Sequence, residues 1–309
     1  MSIPVSRRLD FNEVPVIDIT PLVAGEQARS TVKAIGAACR DVGFFYVRGH
    51  GVARQTVHAL QHQARRYFEL PLEARMTHVV DDTLRGYLPL DYRSYEGESR
   101  AATSHQEGFW IGRDAPRDAS RPLDAPNRWP EAQPELRTAM INYFCAAQAL
   151  SMVLIRAFAL ALDIAPATLA AAFARPNSRL KLNHYPPQPN PSDLSNIGVV
   201  PHSDSGAFTV LWQDDRGGLE IQSKNGDWVG APPIDDTFVI NIGNIMQIWA
   251  AGHFASTPHR VINRSGEERY SIPLFVNPDH TALISPIRGP QAGSSGTDYV
   301  TYQRSIWAR

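Results

Sequence analysis

Residues 201–211 are PHSDSGAFTVL, in which a histidine and an aspartate stand two positions apart and lead into an apolar, β-branched run. A run of this kind beside glycine is typical of a β-strand. Alternate side chains of a strand share one face, so an extended chain places His202 and Asp204 on the same side as Phe208 and Val210. The stretch therefore predicts two polar groups that face the interior of a β structure.

Strand-like clusters continue on both sides of this stretch, between about residues 180 and 278. They include FTVLW, GLEIQ, DWVGA, TFVINIG, HRVIN and RYSIPLFV, with Gly, Asn and Asp between them. No helix of the length that a parallel crossover needs interrupts them. This rhythm favours an antiparallel, double-sheet jelly roll, the double-stranded β-helix of cupin-like proteins, over a doubly wound fold.

Upstream of the β region the sequence predicts helices and strands together, which gives an α+β fold with helices flanking the jelly roll. Short strand-like runs at residues 14–19 and 43–52 flank one amphipathic helix, and a second helix is predicted from about residue 56 to 68. Residues 81–127 are rich in Arg, Asp, Ser, Gly and Pro, which indicates loop with short strands. Beyond Pro130 a long alanine- and leucine-rich run predicts a partly buried helix.

The overall composition argues against several classes of function. Thirty basic and 31 acidic residues give a formal net charge of −1, so the chain lacks the positive field that nonspecific binding to nucleic acid or to an anionic membrane requires. Cys39 and Cys145 are the only cysteines, so neither a disulfide framework nor a zinc finger is expected. The first residues lack a signal-peptide core, and no run approaches the ~20 apolar residues of a membrane span. We expect a cytoplasmic protein with a small-molecule ligand; its oligomeric state is not predicted.

The pair formed by His202 and Asp204 points to a metal ion. A buried, unpaired carboxylate costs several kcal/mol or more, which a coordinated cation can offset. Short motifs also arise by chance, as in the similar HQE at residues 105–107. Only the first pair has a companion, His259, at the start of the strand-like HRVIN. Two histidines and one carboxylate are the ligand set of non-haem Fe(II) oxygenases; the alternative is a strand-end histidine and a turn-capping aspartate.

A second polar pair follows ten residues beyond His259, in RYSIPLF. Arg269 and Ser271 share one face of that predicted strand. Arginine binds a carboxylate through two parallel hydrogen bonds, and a serine hydroxyl can donate beside it. An ordinary surface ion pair is the alternative for an arginine considered alone, but this one follows a predicted metal site.

Eight motifs resemble, in the same order, those of the isopenicillin N synthase-like family of Fe(II)- and 2-oxoglutarate-dependent dioxygenases. They are VPVIDI, GFFYVRGHGV, LNHYPP, HSD, GLEIQ with GDWV, FVINIGN, HRVIN and RYSIPLFVNP, and they span most of the chain. The resemblance implies that Fe(II) is bound by His202, Asp204 and His259. It also implies that Arg269 and Ser271 hold the distal carboxylate of 2-oxoglutarate.

The resemblance assigns further roles and shows some departures. In LNHYPP it implies that Tyr185 joins the distal-carboxylate site and that Asn183 lies near the metal-proximal end of the cosubstrate; a packed polar pair before a Pro-Pro turn is the alternative. Asn244 stands where the family more often has aspartate, and WAAGHF replaces the usual Thr-Asn-Gly turn. RGYLPL, residues 85–90, corresponds to a loop beside the substrate pocket, and the charged segment 91–108 is expected to determine the substrate.

The implied organisation is a single oxygenase unit in two parts. Residues 1–178 form a mixed α/β part with the long supporting helix, and residues 179–309 form the jelly-roll part that carries the site for Fe(II) and 2-oxoglutarate. Phe275 and Trp249 are candidates for the wall of the cavity. The alternative is core packing, which is the more common role of aromatic residues in the strands of a jelly roll.

The implied activity is the oxidation of a small-molecule substrate by O2, with release of succinate and CO2 from 2-oxoglutarate. Activity is expected to fall at acidic pH, because the ligating histidines must be neutral and Asp204 ionised. Two alternatives stay open: an oxidase of the same fold that uses no keto acid, and a noncatalytic metal- or small-molecule-binding jelly roll. A zinc hydrolase is disfavoured because Asp204, the candidate general base, is already a ligand.

Overall fold

The computed structural model describes residues 14–90, 104–187, 197–290, 292–293 and 295–307. Its strands in chain order are β1 Val16–Asp18, β2 Phe44–Arg48, β3 Gly86–Leu88, β4 Glu107–Gly112, β5 Arg179–Tyr185, β6 Val199–His202, β7 Phe208–Gln213, β8 Leu219–Gln222, β9 Trp228–Gly230, β10 Phe238–Ile242, β11 His259–Val261, β12 Arg269–Val276, β13 Leu283–Ile284 and β14 Thr297–Asp298. Its helices are α1 Thr20–Val23, α2 Arg29–Asp41, α3 Arg54–Phe68, α4 Leu72–Met76, α5 Pro134–Ala161, α6 Pro166–Ala171, α7 Asn244–Trp249 and α8 Tyr299–Trp307.

Two sheets form the jelly roll. The larger sheet has eight strands in the order β1-β2-β10-β7-β12-β5-β4-β3, and the smaller has four in the order β6-β11-β8-β9. Within these two sheets the β1–β2 pair is parallel. The other neighbours are antiparallel. The predicted α+β fold with a jelly-roll core is therefore confirmed.

The larger sheet contains strands from both predicted parts of the chain. Strands β1 and β2 extend it beyond β10, while β3 and β4 extend it beyond β5. The boundary between residues 178 and 179 thus falls at the start of β5, inside a continuous sheet, and the two-part division stays a prediction.

The long predicted helix α5 supports the outer face of the larger sheet. It packs against α2, α3 and α6 and against β12. Its buried residues recur every three or four positions, as an apolar stripe requires. They include Leu136, Met140, Tyr143, Leu150 and Leu154. Each fully buried leucine contributes roughly 1.5–3 kcal/mol, so this stripe is a main source of the stability of the helix–sheet layer.

Helix α5 also corrects one expectation from the sequence. By length and composition it could cross a membrane, although no run of that kind was expected. Its buried residues belong to the main hydrophobic core, shared with strands of the larger sheet. That packing is typical of a core helix.

The prediction of one extended strand through residues 202–210 is wrong. Strand β6 ends at His202 in the smaller sheet, and β7 begins at Phe208 in the larger one. Phe208 belongs to the main hydrophobic core, whereas Thr209 lines a cavity. Because the start of β7 is buried on both faces, its apolar run does not reveal which face points to the cavity. In the turn between the strands, a Cβ at Gly206 would lie 2.5 Å from Asn277 Oδ1, so a larger residue there would displace that side chain.

Candidate active site

Three predicted metal ligands meet where the chain leaves the smaller sheet. His202 and His259 are directly opposed partners of β6 and β11, with ring centroids 4.3 Å apart. Asp204 Oδ1 lies 3.6 Å from His202 Nε2 and 3.8 Å from His259 Nε2. One donor atom from each residue fits within a 4.8 Å group, the one group of this kind found among the described residues.

Backbone carbonyls fix the tautomer of both histidines. His202 Nδ1 lies 2.9 Å from the carbonyl oxygen of Val200, and His259 Nδ1 lies 3.3 Å from that of Thr257. A carbonyl oxygen only accepts, so each Nδ1 carries the hydrogen and each Nε2 has a lone pair for a metal. Burial and the neighbouring charge of His202 lower the pKa of His259 to about 4, which keeps its ring neutral near neutral pH.

Two further side chains orient the carboxylate. Asp204 Oδ2 accepts hydrogen bonds from Thr209 Oγ1 and, at 2.7 Å, from Asn241 Nδ2. This leaves Oδ1 facing the two imidazoles. Burial by itself would raise the pKa of Asp204, but hydrogen bonding to His202 and the charge of His259 hold it well below the ordinary value. One carboxylate and two imidazoles whose Nε2 atoms lie near it suit a divalent cation such as Fe(II).

The four residues predicted for the cosubstrate also come together. Strands β5 and β12 pair so that Arg269 opposes Tyr185 and Ser271 opposes Asn183. Asn183 Nδ2 donates to Ser271 Oγ at 3.2 Å, and the Tyr185 hydroxyl lies 3.4 Å from the same oxygen. The Arg269 guanidinium carbon lies 4.6 Å from the centre of the Tyr185 ring.

Arg269 is held in place but keeps one unused donor. It is 1% exposed; its Nε donates to the carbonyl of Gly217, and its Nη2 lies 3.3 Å from Gln213 Oε1. Its buried Nη1 has no hydrogen-bond partner among the described residues, and neither has Asn183 Oδ1. A buried, unsatisfied donor costs about 1–3 kcal/mol or more when charged, so the cradle fits a carboxylate that would satisfy it.

Both groups of residues line one cavity of about 220 Å³. Leu88, Leu211 and Phe275 contribute apolar surface to its wall. Trp249 instead lies in the hydrophobic core, where its indole donates to the carbonyl of Leu283. Apolar walls around a polar centre limit the access of water, which strengthens the electrostatic interactions inside.

The segment next to the cavity differs in part from its predicted form. RGYLPL contains strand β3 instead of only a loop, and Leu84 and Leu88 reach the cavity. Residues 91–103 of the charged segment lie outside the described residues. Glu107, in the rival HQE motif, is buried against Arg75, Tyr87 and His184 and is not part of the three-residue metal group.

One of the two departures from the family pattern contacts the turn that carries a metal ligand. The Asn244 backbone N–H donates to the Asp204 carbonyl at 2.8 Å. In WAAGHF, Ala251 has a positive φ of 51° and Gly252 one of 78°, so this turn has two successive residues in the left-handed region.

Sequence reasoning missed four polar residues that surround the site. Thr209 and Asn241 were overlooked although each interrupts an apolar strand, which is the usual sign of a buried polar group with a partner. Arg179 and Lys181 were overlooked although they alternate with Asn183 along β5 and line the same cavity. That period of two was the available signal.

Comparison with known proteins assigns the chain to a family. Residues 14–132 match a family described as non-haem dioxygenase in morphine synthesis N-terminal, and residues 176–278 match the 2OG-Fe(II) oxygenase superfamily. Clavatol oxidase claD of Penicillium crustosum is 31% identical, with 92% of this chain and 90% of that protein covered. The chain belongs to the 2OG-Fe(II) oxygenase superfamily. The 2-oxoglutarate-Fe(II) type oxidoreductase hxnY of Emericella nidulans is 33% identical, with 88% and 82% covered.

A solved structure supports the same assignment for this oxygenase. The crystal structure of a full-length Neurospora crassa protein in complex with alpha-KG superposes with a TM-score of 0.85 at 28% identity, and 96% of each chain is covered. The predicted activity and cofactors are therefore confirmed: the protein is a dioxygenase that depends on Fe(II) and 2-oxoglutarate. Its substrates are a small molecule and O2.

Proposed function

We propose that this oxygenase binds Fe(II) through His202, Asp204 and His259. The observation that carries the proposal is the convergence of their donor atoms within 4.8 Å at the wall of a cavity. The same cavity is lined by Arg269, whose buried Nη1 has no partner among the described residues. The hydrogen bonds at the Nδ1 atoms of the two histidines and the two hydrogen bonds accepted by Asp204 Oδ2 already orient the ligands. The three ligand atoms therefore need little reorganisation to bind a cation.

The distal carboxylate of 2-oxoglutarate is assigned to Arg269, Ser271 and Tyr185. The opposed positions of these residues on β5 and β12 place a charged N–H and two hydroxyl groups at one spot. Asn183, one pleat further along β5, is assigned to the end of the cosubstrate nearer the metal. When bound, Fe(II) and 2-oxoglutarate supply the activation of O2 and the oxidising power, with succinate and CO2 as products of the keto acid.

The residues of the chain position these groups and keep the site dry. Thr209 and Asn241 prevent Asp204 from turning away from the two imidazoles, because both of their hydrogen bonds end on Oδ2. Gly217 and Gln213 hold Nε and Nη2 of Arg269, which leaves Nη1 as the donor that is available to a carboxylate in the cavity. Such preorganisation lowers the reorganisation that catalysis would otherwise require.

We also propose that the protein belongs to the isopenicillin N synthase-like subgroup, acts in the cytoplasm and binds neither nucleic acid nor membrane. The order of the eight motifs supports the subgroup. The net charge of −1 and the two free cysteines, Cys39 and Cys145, support the remaining points. The proposed unit is a single one, in which residues 1–178 support the site carried by residues 179–309.

The proposal is tested by titrating 2-oxoglutarate into the Fe(II)-loaded protein without oxygen and by measuring succinate formation with oxygen. Arg269→Gln removes the charged fork and should weaken 2-oxoglutarate binding by about 10–100-fold. The matched control is Arg216→Gln, an arginine paired with Glu267 outside the cavity lining, which should bind as the wild type does. Oxygen uptake that proceeds without any keto acid would favour the oxidase alternative instead.

A further inference from the structure

Two basic residues of β5 line the cavity on the side away from Arg269. Arg179 and Lys181 are 4% and 5% exposed, and they share the cavity face of the strand with Asn183. Alternate residues of a strand lie ~7 Å apart, so the Cα atoms of Lys181 and Arg179 lie roughly 7 and 14 Å from that of Asn183. They are therefore separate from the Arg269 cradle at the opposite end of the same strand.

The charges of the cavity wall favour an additional anion. Among the described residues that line the cavity, Asp204 is the only acidic one, whereas Arg179, Lys181 and Arg269 are basic. Fe(II) and the dianion of 2-oxoglutarate cancel each other. Neither cosubstrate nor metal is assigned to Arg179 or Lys181, and basic side chains in the wall of a low-dielectric cavity attract anionic ligands.

The cavity surface beside these cations is flat and apolar. Trp110 and Phe275 stack with their centroids 5.5 Å apart and an interplanar angle of 27°. Lys181 Nζ lies over the Trp110 ring, 5.2 Å from its centre, in a cation–π contact. Phe275 is the direct cross-strand partner of Arg179, which places the second cation at the other end of the stack.

Polar groups of α8 and its surroundings complete this end of the cavity. Tyr299 and Gln303 of α8 and Asn277 after β12 all line it. Behind Arg179 lies a third cation, Arg85, which is fully buried; burial and the charge of Arg179 lower the pKa of Arg85 to about 9. Polar groups therefore surround the two cations at the end of the cavity that the cosubstrate does not occupy.

We propose that Arg179 and Lys181 bind a carboxylate of the primary substrate, whose flat, apolar body lies against Trp110 and Phe275. This inference rests on the proposed placement of Fe(II) and 2-oxoglutarate, because the substrate must use the part of the cavity that they leave. The substrate class is a small organic acid with an aromatic or similarly flat body, and Arg179 and Lys181 determine the specificity for the acid.

The test compares acids with their neutral amides. Protein loaded with Fe(II) and saturating 2-oxoglutarate is titrated calorimetrically without oxygen with phenylacetate, 3-phenylpropanoate, 5-phenylpentanoate and 2-naphthylacetate, each against its primary amide. At least one acid should bind about tenfold or more tightly than its amide, as one charged hydrogen bond provides. Lys181→Met and Arg179→Met should each remove most of this preference.

Matched variants separate charge from folding. Lys181→Arg keeps the charge and should retain the preference, and the exposed Lys224→Met should behave as the wild type does. Binding of 2-oxoglutarate, titrated separately, should change less than about threefold in Lys181→Met, since its cradle at Arg269 is untouched.

Different failures have different meanings. If wild-type protein does not bind 2-oxoglutarate, the proposed function fails. If 2-oxoglutarate binds but acids and amides bind equally, or no acid binds, only the substrate inference is overturned. A preference that persists in both methionine variants overturns it as well.

Discussion

At Asp204, the two carboxylate oxygens have different surroundings, and this asymmetry orients the ligand. Oδ2 is occupied by Thr209 and Asn241, while Oδ1 faces His202 and His259. Partners of this kind, one step behind the metal ligands, set both the orientation of a ligand and its basicity. Thr209 is the better one to test, because a residue of nearly the same shape can replace it.

Thr209→Val should lower Fe(II) affinity by about 10-fold, since the isosteric valine removes the hydroxyl donor and leaves the shape of β7 unchanged. Thr209→Ser keeps the hydroxyl and should bind Fe(II) within about threefold of the wild type. Metal titration of the apo protein measures both. Equal affinity in the valine variant would show that the hydroxyl does not orient Asp204.

The residues proposed as metal ligands could be predicted from the sequence, but the residues that hydrogen-bond to them could not. His202, Asp204 and His259 stand in recognisable motifs, and Arg269 and Ser271 follow at strand spacing. By contrast, Asn241 is a single polar residue in FVINI, and nothing local indicates that it contacts a carboxylate 37 positions earlier. Such contacts depend on sheet order, which no local pattern contains.

At the scale of elements, a buried carboxylate connects β3 and β4 to α4 and β5 beside the cavity. Glu107 opposes His184 across β4 and β5, and its Oε1 lies 2.8 Å from His184 Nδ1. Arg75 of α4 and Tyr87 of β3 both donate to its other oxygen. Burial would raise the pKa of Glu107, but hydrogen bonds from His184 and Tyr87 and the charge of Arg75 lower it overall.

Glu107→Gln should destabilise the protein by about 3 kcal/mol, because it removes a buried carboxylate that satisfies His184 and Tyr87 and leaves the partly buried Arg75 without a counter-charge. Glu268 is a matched control, since it also lies near His184, at 3.8 Å from Nε2, but is 52% exposed. Glu268→Gln should change stability by less than about 1 kcal/mol. Urea unfolding of both variants measures the difference, and equal effects would contradict the role of the buried network.

Helix α8 closes one side of the cavity. Tyr299 and Gln303 line it, and the Tyr302 hydroxyl donates to the carbonyl of Ser205 at 3.3 Å. Ser205 directly follows Asp204, so the helix contacts the turn that carries a metal ligand. The last helix of the described chain is therefore part of the site.

Tyr299→Ala should lower the free energy of unfolding by about 3–5 kcal/mol, because the ring is 1% exposed and its removal leaves a large void. Tyr299→Phe keeps the buried ring and should cost less than about 1 kcal/mol. Denaturant unfolding distinguishes the two. An alanine variant as stable as the wild type would mean that α8 is not docked in solution.

Element types were more predictable than element boundaries. α2, α3 and α5 follow from apolar periodicity, and Gly43 ends α2 with a φ of 75°, where a Cβ would collide with the carbonyl of Ala255. The strand through residues 202–210 was misjudged because a strand buried on both faces shows no alternation. The chain passes from the smaller sheet to the larger one between residues 202 and 208, and its apolar pattern does not indicate this change.

At the scale of the whole molecule, the order of the strands in the sheets could not be predicted from the sequence. β10 joins β2 to β7, and β12 joins β7 to β5, so neighbours in the larger sheet are far apart along the chain. The rhythm of short strands indicates a jelly roll, but pairing is decided by packing of the two sheets and by α5 behind them. The cavity exists only once this order is complete, because its cationic and metal-binding walls belong to different sheets.

Buried histidines distributed over the molecule make its stability depend on pH. Burial lowers the pKa of His50 and of His280, and it lowers that of His259 to about 4. Each therefore binds a proton more readily in the unfolded chain, near pH 6.5, than in the folded one. Stability contributed by carboxylates with lowered pKa, such as Glu107, is present above their ordinary value near 4 and is lost only below it.

The metal-free protein should therefore lose stability between pH 7.5 and 5, with each buried histidine contributing at most about 1.4 kcal/mol per pH unit below 6.5. His50→Asn should reduce this slope, since an asparagine oxygen can replace the Nδ1 that accepts from the Val52 N–H but does not titrate. Urea unfolding at a series of pH values measures both proteins. A wild-type free energy of unfolding that stays constant from pH 7.5 to 5 would mean that these imidazoles are protonated equally in the folded and unfolded states, which their burial argues against.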